Sequence, residues 1–135
     1  MRYLLDTCVV SDVVKGVPAV LRRVRETAPD WLAISSVTLM EIEYGLSLNP
    51  ERAKKLAPVI AGFIGRIHVL DFTSSDARAT AALRASLKQR GEVIGSFDSL
   101  MAGSALSRGL VLATSNVREF GRIHGLQIED WRAVE

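Results

Sequence analysis

Four carboxylates fall where a short chain could gather them for hydrolytic chemistry. Asp6 ends the apolar run Tyr3-Leu4-Leu5, and Glu41 lies between Met40 and Ile42; Asp98 follows Gly95-Ser96-Phe97, and Glu119 comes three residues after Asn116. Carboxylate oxygens are hard ligands that suit Mg²⁺ or Mn²⁺. Mg²⁺ typically takes one or two of them and fills the rest of its shell with waters and substrate phosphate. Three or four acids drawn from distant sequence would make a cup for one or two such ions. Two ions about 3.5–4 Å apart can activate a water and stabilise the leaving oxygen of a phosphodiester. Taken singly, each acid has a plainer reading: a helix-opening Asp caps, a strand-end acid begins a turn, and Glu119 is a surface charge. Their order along the chain gives them weight.

Such a cup needs strand ends and helix starts to carry it. Short apolar runs bounded by polar breaks read as buried strands, and residues 3–5, 31–34, 67–70 and 110–113 fit, with a last strand near 126–128 and a packed Trp131. Helices are expected over 9–15, stopping near Gly16, and over 19–26 behind Pro18, with Arg22, Arg23 and Arg25 on its outer side. Ser35-Ser36 caps a helix over 37–48. There Val37, Met40, Tyr44 and Leu48 form one stripe and Leu39, Ile42 and Leu46 a second, so much of the helix should be covered. Glu41 lies beside the first stripe while Glu43 projects elsewhere. An acid on a covered face needs a partner or a shifted pKa, which ranks Glu41 above Glu43.

Asn49-Pro50 ends that helix and starts one running towards Gly65. Thr73-Ser74-Ser75-Asp76 is a capping box with Asp for the usual Glu or Gln, opening an Ala-rich helix that stops at Gly91. Ser96 is the expected cap of a helix over 97–108, with Gly109 as its stop and Asp98 in the first turn, where the helix dipole favours an ionised carboxylate. Asp98, Ala102 and Ala105 share one side. After Thr114-Ser115-Asn116 comes a short helix over 117–120. Strands alternating with helices throughout predict an α/β sandwich with a largely parallel sheet, in a single domain over 1–135.

The totals agree with a globular chain. Its 135 residues are 48% hydrophobic, enough for a real core, and no apolar run reaches membrane-spanning length. Asp6 interrupts any signal-peptide pattern, and the single cysteine, Cys8, forms no internal disulfide and suits a reducing cytoplasm. Seventeen Lys+Arg against fifteen Asp+Glu leaves a formal +2, which permits a nucleic-acid partner without demanding one.

Four segments in order carry a family resemblance. Leu5-Asp6-Thr7-Cys8-Val9-Val10-Ser11, Ser35-Ser36-Val37-Thr38-Leu39-Met40-Glu41-Ile42-Glu43-Tyr44-Gly45, Ile94-Gly95-Ser96-Phe97-Asp98-Ser99-Leu100-Met101-Ala102 and Thr114-Ser115-Asn116-Val117-Arg118-Glu119-Phe120 resemble the successive signatures of PIN-domain ribonucleases. Within that group the likeness is to VapC-type toxins of bacterial toxin–antitoxin pairs, and Gly125-Leu126 and Asp130-Trp131 extend it nearly to the end of the chain.

The resemblance implies a PIN-like three-layer sandwich and endonucleolytic cleavage of RNA with one or two Mg²⁺ or Mn²⁺ ions. It also implies inhibition by a VapB-like antitoxin. Carried over by position, Asp6 and Asp98 are the principal metal ligands and Glu41 the intervening acid. Many PIN domains have Asp where this chain has Asn116; VapC-like members often pair Asn there with an acid three residues on, here Glu119. Asn116 would offer a carbonyl oxygen or a hydrogen bond, Thr114 a hydroxyl to a metal-bound water, and Thr7 a supporting hydroxyl. Attack by a metal-activated water would leave a 5′-phosphate and a 3′-hydroxyl.

Toxins of this type dimerise, and an antitoxin segment fills the acidic groove, often through an Arg that pairs with the carboxylates as a metal would. The residues do not assign the dimer face; helices near 53–64 and 9–14 are candidates for it. Initiator tRNA, other tRNAs and rRNA are all compatible targets. Cys8, where the family more usually has Asn or Ser, is expected simply to pack.

Three rival readings stand beside this one. A receiver-type signalling domain also holds Mg²⁺ with strand-end acids, but it wants a paired acid early and a late Lys after a strand. A haloacid-dehalogenase-like phosphatase wants a second Asp two residues after the first, where this chain has Cys8. A PIN scaffold that binds RNA without cleaving it is encouraged only by Asn116. His68 and His124 lie far from the acids in sequence, which argues against a histidine-based ribonuclease.

Overall fold

Leu4, Ala33 and Leu112 enter one hydrophobic cluster, while their strand neighbours Tyr3, Leu5, Leu32, Ile34, Val111 and Ala113 enter another. That alternation is the two-residue period of strands buried on both faces. The structure, a computed structural model, describes residues 1–133. Five strands, β1 (Tyr3–Leu5), β2 (Leu32–Ser35), β3 (His68–Leu70), β4 (Val111–Ala113) and β5 (Ile128–Glu129), form one sheet in the order β3-β2-β1-β4-β5. Every pairing is parallel, with Tyr3 opposite both Leu32 and Val111.

Seven helices cover the two faces: α1 (Thr7–Lys15), α2 (Pro18–Glu26), α3 (Ser36–Leu48), α4 (Pro50–Ile64), α5 (Ser74–Gln89), α6 (Ser96–Arg108) and α7 (Val117–Phe120). Leu83 and Leu87 of α5 and Met101, Ala102 and Ala105 of α6 pack on one face. Val9 and Val10 of α1 and Val20 of α2 pack on the other, with Leu39 and Ile42 of α3 and Phe63 and Ile64 of α4 against them. The result is the expected three-layer α/β sandwich.

Strand order decides where chemistry can sit. The chain leaves β1 outward through β2 to β3, then returns to β4 on the other side of β1. The switch point therefore lies between β1 and β4, and open α/β sheets bind ligands in the crevice outside the carboxyl ends there. Receiver domains use the order 2-1-3-4-5 instead, so the strand order removes that rival.

Several expectations need correction. Helix α1 starts at Thr7 rather than residue 9, because Asp6 itself is the N-cap. Trp31 belongs to a 3-10 turn, Pro29–Trp31, not to β2, and is 48% exposed. Gly95, not Ser96, is the N-cap of α6, and β5 lies at Ile128–Glu129 rather than 126–128. Arg23 does not decorate an outer side: it donates to Glu129 at 2.7 Å and lies over the Trp131 ring. On α3 the stripe of Met40, Tyr44 and Leu48 is exposed, because the sheet and its neighbours take the Leu39–Ile42 side instead. Val9 and Val10 are core residues, which removes them from any dimer face.

Two buried carboxylates outside the predicted cup stabilise the scaffold. Asp12 is paired by both its oxygens to the Arg132 guanidinium, tying α1 to the segment after β5. Asp76 closes the capping box with Thr73 and also accepts from Ser107 and Arg108 of α6. Burial pushes the Asp76 carboxyl up, but the bonds from Ser107, the Thr73 backbone and Arg108 outweigh it and hold the pKa below the usual value. A depressed folded pKa gives stability that is present above the unfolded pKa and lost as pH falls through the folded one. Asp76→Ala removes a cap and strands Arg108, so urea unfolding at pH 7 should show a loss of roughly 2–4 kcal/mol. A loss under about 0.5 kcal/mol would contradict this role.

Candidate active site

Asp6 emerges from the central strand exactly one residue past β1, with its backbone N–H donating to Ala113 of β4 at 2.9 Å. Its side chain is fixed from two directions. Oδ1 accepts from the Thr7 N–H at 2.9 Å, which caps α1, and Oδ2 accepts from the buried Thr114 hydroxyl at 2.9 Å. Thr114 follows β4, so this bond spans the switch point itself. The same hydroxyl oxygen accepts the Asn116 N–H at 3.0 Å. In this arrangement the hydroxyl proton goes to Asp6, and Thr114 holds that carboxylate in place.

The second acid comes from α3, whose Ser35 cap sets the helix start at the end of β2. Glu41 accepts from the Thr7 hydroxyl at 2.8 Å, and that hydroxyl also lies 3.4 Å from the buried Thr38 hydroxyl. Thr7 therefore touches both sides of the site, its N–H on Asp6 and its hydroxyl on Glu41. Glu41 is partly buried, whereas Glu43 is exposed.

The third and fourth acids meet across a loop. Glu119 of α7 accepts from the Gly95 N–H at 2.9 Å and from the Asn116 side-chain amide at 2.8 Å. A Cβ on Gly95 would stand 3.5 Å from Asp98 Oδ2 and 3.8 Å from Glu119 Oε1, so glycine leaves the space beside this pair open. Asn116 uses its amide as the donor that holds Glu119, the hydrogen-bonding alternative of the two expected.

The charges show how these groups interact. Burial first, then the carboxylates of Asp6 and Glu119 and more weakly Glu41, pushes Asp98 up to about 6. The Gly95 N–H and the Asn116 amide hold Glu119 below the usual range. The two neighbouring carboxyls are thus pushed in opposite directions, Asp98 up and Glu119 down. Cys8 is half-buried, with its sulfur 3.5 Å from Asp6 Oδ2 and 3.5 Å from the Ser115 hydroxyl, and burial raises its pKa. A protonated thiol of this kind packs, as expected of it.

Four acids from four segments thus come together, with Asp6, Glu119 and Glu41 all acting on Asp98. An all-oxygen donor set with surplus negative charge fits a hard divalent ion. Among the described residues no three His, Cys, Asp or Glu side chains form a ready-made cage. The fit is to an ion held by one or two carboxylates that keeps several waters, the habit of Mg²⁺. Sequence reasoning found all four acids but missed the Thr114–Asp6 lock and the part of Gly95. The first depends on β1 and β4 being neighbours, which no local pattern reveals.

A parallel sheet in this order, with acids gathered at its switch point, defines a class. The sequence matches the PIN domain model over residues 3–126, and the chain belongs to the PIN-domain family. Its curated relatives narrow the likeness. The tRNA(fMet)-specific endonuclease VapC of Shigella flexneri is 42% identical over 131 residues, covering 97% of this chain and 98% of its own. The protein of the same name from Salmonella typhimurium is 44% identical over 133 residues, with the same coverage. Among solved structures, DNA-bound VapBC from Salmonella typhimurium superposes with a TM-score of 0.87 at 41% identity, over 97% of this chain and 98% of that one. VapBC-1 from nontypeable Haemophilus influenzae gives 0.85 at 33% identity, over 98% and 100%.

Proposed function

We propose that this chain is an endoribonuclease, dependent on Mg²⁺ or Mn²⁺, that serves as the toxin of a toxin–antitoxin pair. The observation that carries the reading is the meeting of Asp6, Glu41, Asp98 and Glu119 beside the β1/β4 switch point, close enough for the other three carboxylates to raise Asp98. Full-length likeness to VapC endonucleases supports the activity, and likeness to VapBC complexes supports an antitoxin partner. Initiator tRNA, named for two relatives, is the first substrate to test.

In this reading Asp6, Asp98 and Glu41 hold one or two ions. A bound divalent ion supplies an activated water and stabilises the leaving oxygen of the phosphodiester. The chain's own groups prepare the site. Thr114 and the Thr7 N–H aim Asp6, the Thr7 hydroxyl aims Glu41, and the Gly95 N–H with Asn116 aims Glu119. Asp98 holds a proton below about pH 6, so ion binding should weaken as pH falls through that value. The antitoxin would offer a cation, such as a guanidinium, to the same acids, and a homodimer in the cytoplasm is the expected setting. No helix among the described residues is long and apolar enough to cross a membrane.

The direct experiment incubates the purified protein with RNA in Mg²⁺, in Mn²⁺ and in EDTA. Cleavage that EDTA abolishes and Mn²⁺ restores is expected; cleavage indifferent to EDTA would sink the reading. Thr114→Val removes the hydroxyl that aims Asp6 while nearly preserving shape. Outer-shell partners of metal ligands typically contribute about 10–100-fold in affinity or activity. Calorimetric titration with Mn²⁺ should show a loss of that order, and wild-type affinity in Thr114→Val would contradict the positioning role.

A further inference from the structure

Four gathered acids repel the polyanion they are meant to cut, so the site needs a cation placed beside them for the substrate. On the Glu119 side of the site the neighbouring arginines are already engaged. Arg90 donates to the Arg122 carbonyl, and Arg122 to the Val93 and Glu119 carbonyls. Arg118 is exposed, and among the described residues it has no hydrogen-bond or ion-pair partner. It precedes Glu119 on α7 and, with Asn116, Glu119 and Arg122, lines a surface cavity of about 390 Å³. On the segment that Gly95 joins to Glu119, an aromatic residue likewise comes just before an acid. Phe97 immediately precedes Asp98 in the first turn of α6 and is 49% exposed. The Gly95 N–H bond to Glu119 holds these two segments together.

Resting on the nuclease reading above, we infer that Arg118 and Phe97 form the substrate grip of this site. Arg118 pairs with an RNA phosphate next to the one that is cut, and Phe97 stacks on a base of the same strand. Guanidinium suits phosphate through paired N–H donors, and an exposed ring suits an unpaired base whatever its identity. A grip of this kind accepts single-stranded loops, where bases can be splayed out, and rejects regular duplex.

The test measures binding apart from cleavage. In an Asp98→Asn background, anisotropy of a fluorescein-labelled single-stranded RNA is followed in Mg²⁺ at several salt concentrations. Arg118→Ala should weaken binding about tenfold and reduce the salt slope by about 0.7, the contribution of one phosphate contact on a single strand. Arg118→Lys should keep most of that slope. Phe97→Ala should weaken binding about tenfold with the slope unchanged, and Phe97→Trp should restore it. Both positions are exposed, and unchanged thermal midpoints would establish that the variants are folded. RNA affinities within twofold of the parent in both alanine variants would overturn the grip, even if the protein cleaves RNA. Weakened binding in both variants, in a protein that never cleaves, would leave the grip standing and remove the nuclease.

Discussion

Asp98→Asn should lose RNA cleavage by at least the order of 10²-fold and at the same time melt at a higher temperature than the parent protein. The loss follows from removing a carboxylate from the set that would stabilise charge in the transition state, where single groups are commonly worth about 10²–10³. The gain follows from the burial, and after it the repulsion from Asp6 and Glu119, that raises Asp98. Its pKa lies near 6 in the folded protein against an ordinary value of 3.8, so the folded state binds more protons than the unfolded one between those values. Stability therefore falls as pH rises through that window and the penalty is complete above about 6. Because Asp98 is partly open to solvent, screening cuts the penalty to about 1 kcal/mol, a midpoint rise of about 3 °C in a chain of this size. The difference between variant and parent should shrink as pH is lowered from 7 to 5. Scanning calorimetry without divalent ions reads all of this, and a variant less stable than its parent at pH 7 would contradict the repulsive cluster. Saturating Mn²⁺ should stabilise the parent more than the variant.

Most of this cluster was legible in the sequence, because strand ends and helix starts leave local marks. Asp6 closes an apolar run, Asp98 follows a Gly-Ser break, and the capping box at Thr73–Asp76 is present in full. What escaped was either long-range or ambiguous in kind. The Asp12–Arg132 pair joins residues 120 positions apart, and neither residue announces the other. The stripe of Met40, Tyr44 and Leu48 has helical spacing, but spacing does not say whether an apolar face meets its own core. It does not: Tyr44 is 63% and Leu48 67% exposed. The run before β2 looked like strand through Trp31, yet Pro29 starts a tight turn that takes that residue out.

Gly103→Ala should be the most damaging small change in the scaffold. Glycine inside a helix ordinarily costs about 1 kcal/mol relative to Ala, so propensity alone favours the substitution. Packing reverses the sign. A Cβ on Gly103 of α6 would lie 1.9 Å from the Thr80 hydroxyl oxygen of α5, 2.9 Å from its Cβ and 3.0 Å from its Cα. Thr80 cannot swing aside without cost, since it is buried and its hydroxyl donates to the Asp76 carbonyl at 2.8 Å. The two helices must separate, which opens the core around Leu83, Leu87 and Met101. Overpacking of this kind costs about 1–3 kcal/mol and occasionally more, and the backbone contact puts this site at the upper end, about 3 kcal/mol net. Helix α6 also carries Asp98 at its start, so the displacement should reduce RNA cleavage well below the melting temperature. Thr80→Gly, which removes both clashing side-chain atoms, should recover part of the stability of Gly103→Ala despite being unfavourable alone. Additive losses in the double variant would refute the contact.

Ala102 and Ala105, which share one side of α6 with Asp98, are both fully buried. The closest approach, however, is at Gly103, one position round the helix, where α5 rather than the sheet is the neighbour. A pattern of small residues marks a crowded helix without saying which side is most crowded.

The measurement that bears most directly on the acids as a metal-dependent hydrolytic site is the chemistry of the ends they leave. Initiator tRNA is incubated with the purified protein in Mn²⁺, and the fragments are mapped and their termini identified. Attack by water should give 5′-phosphate and 3′-hydroxyl ends, in a reaction that EDTA stops and Asp98→Asn abolishes. Fragments ending in a 2′,3′-cyclic phosphate, or the same fragments in the presence of EDTA, would mean that Asp6, Glu41, Asp98 and Glu119 do not perform the cut.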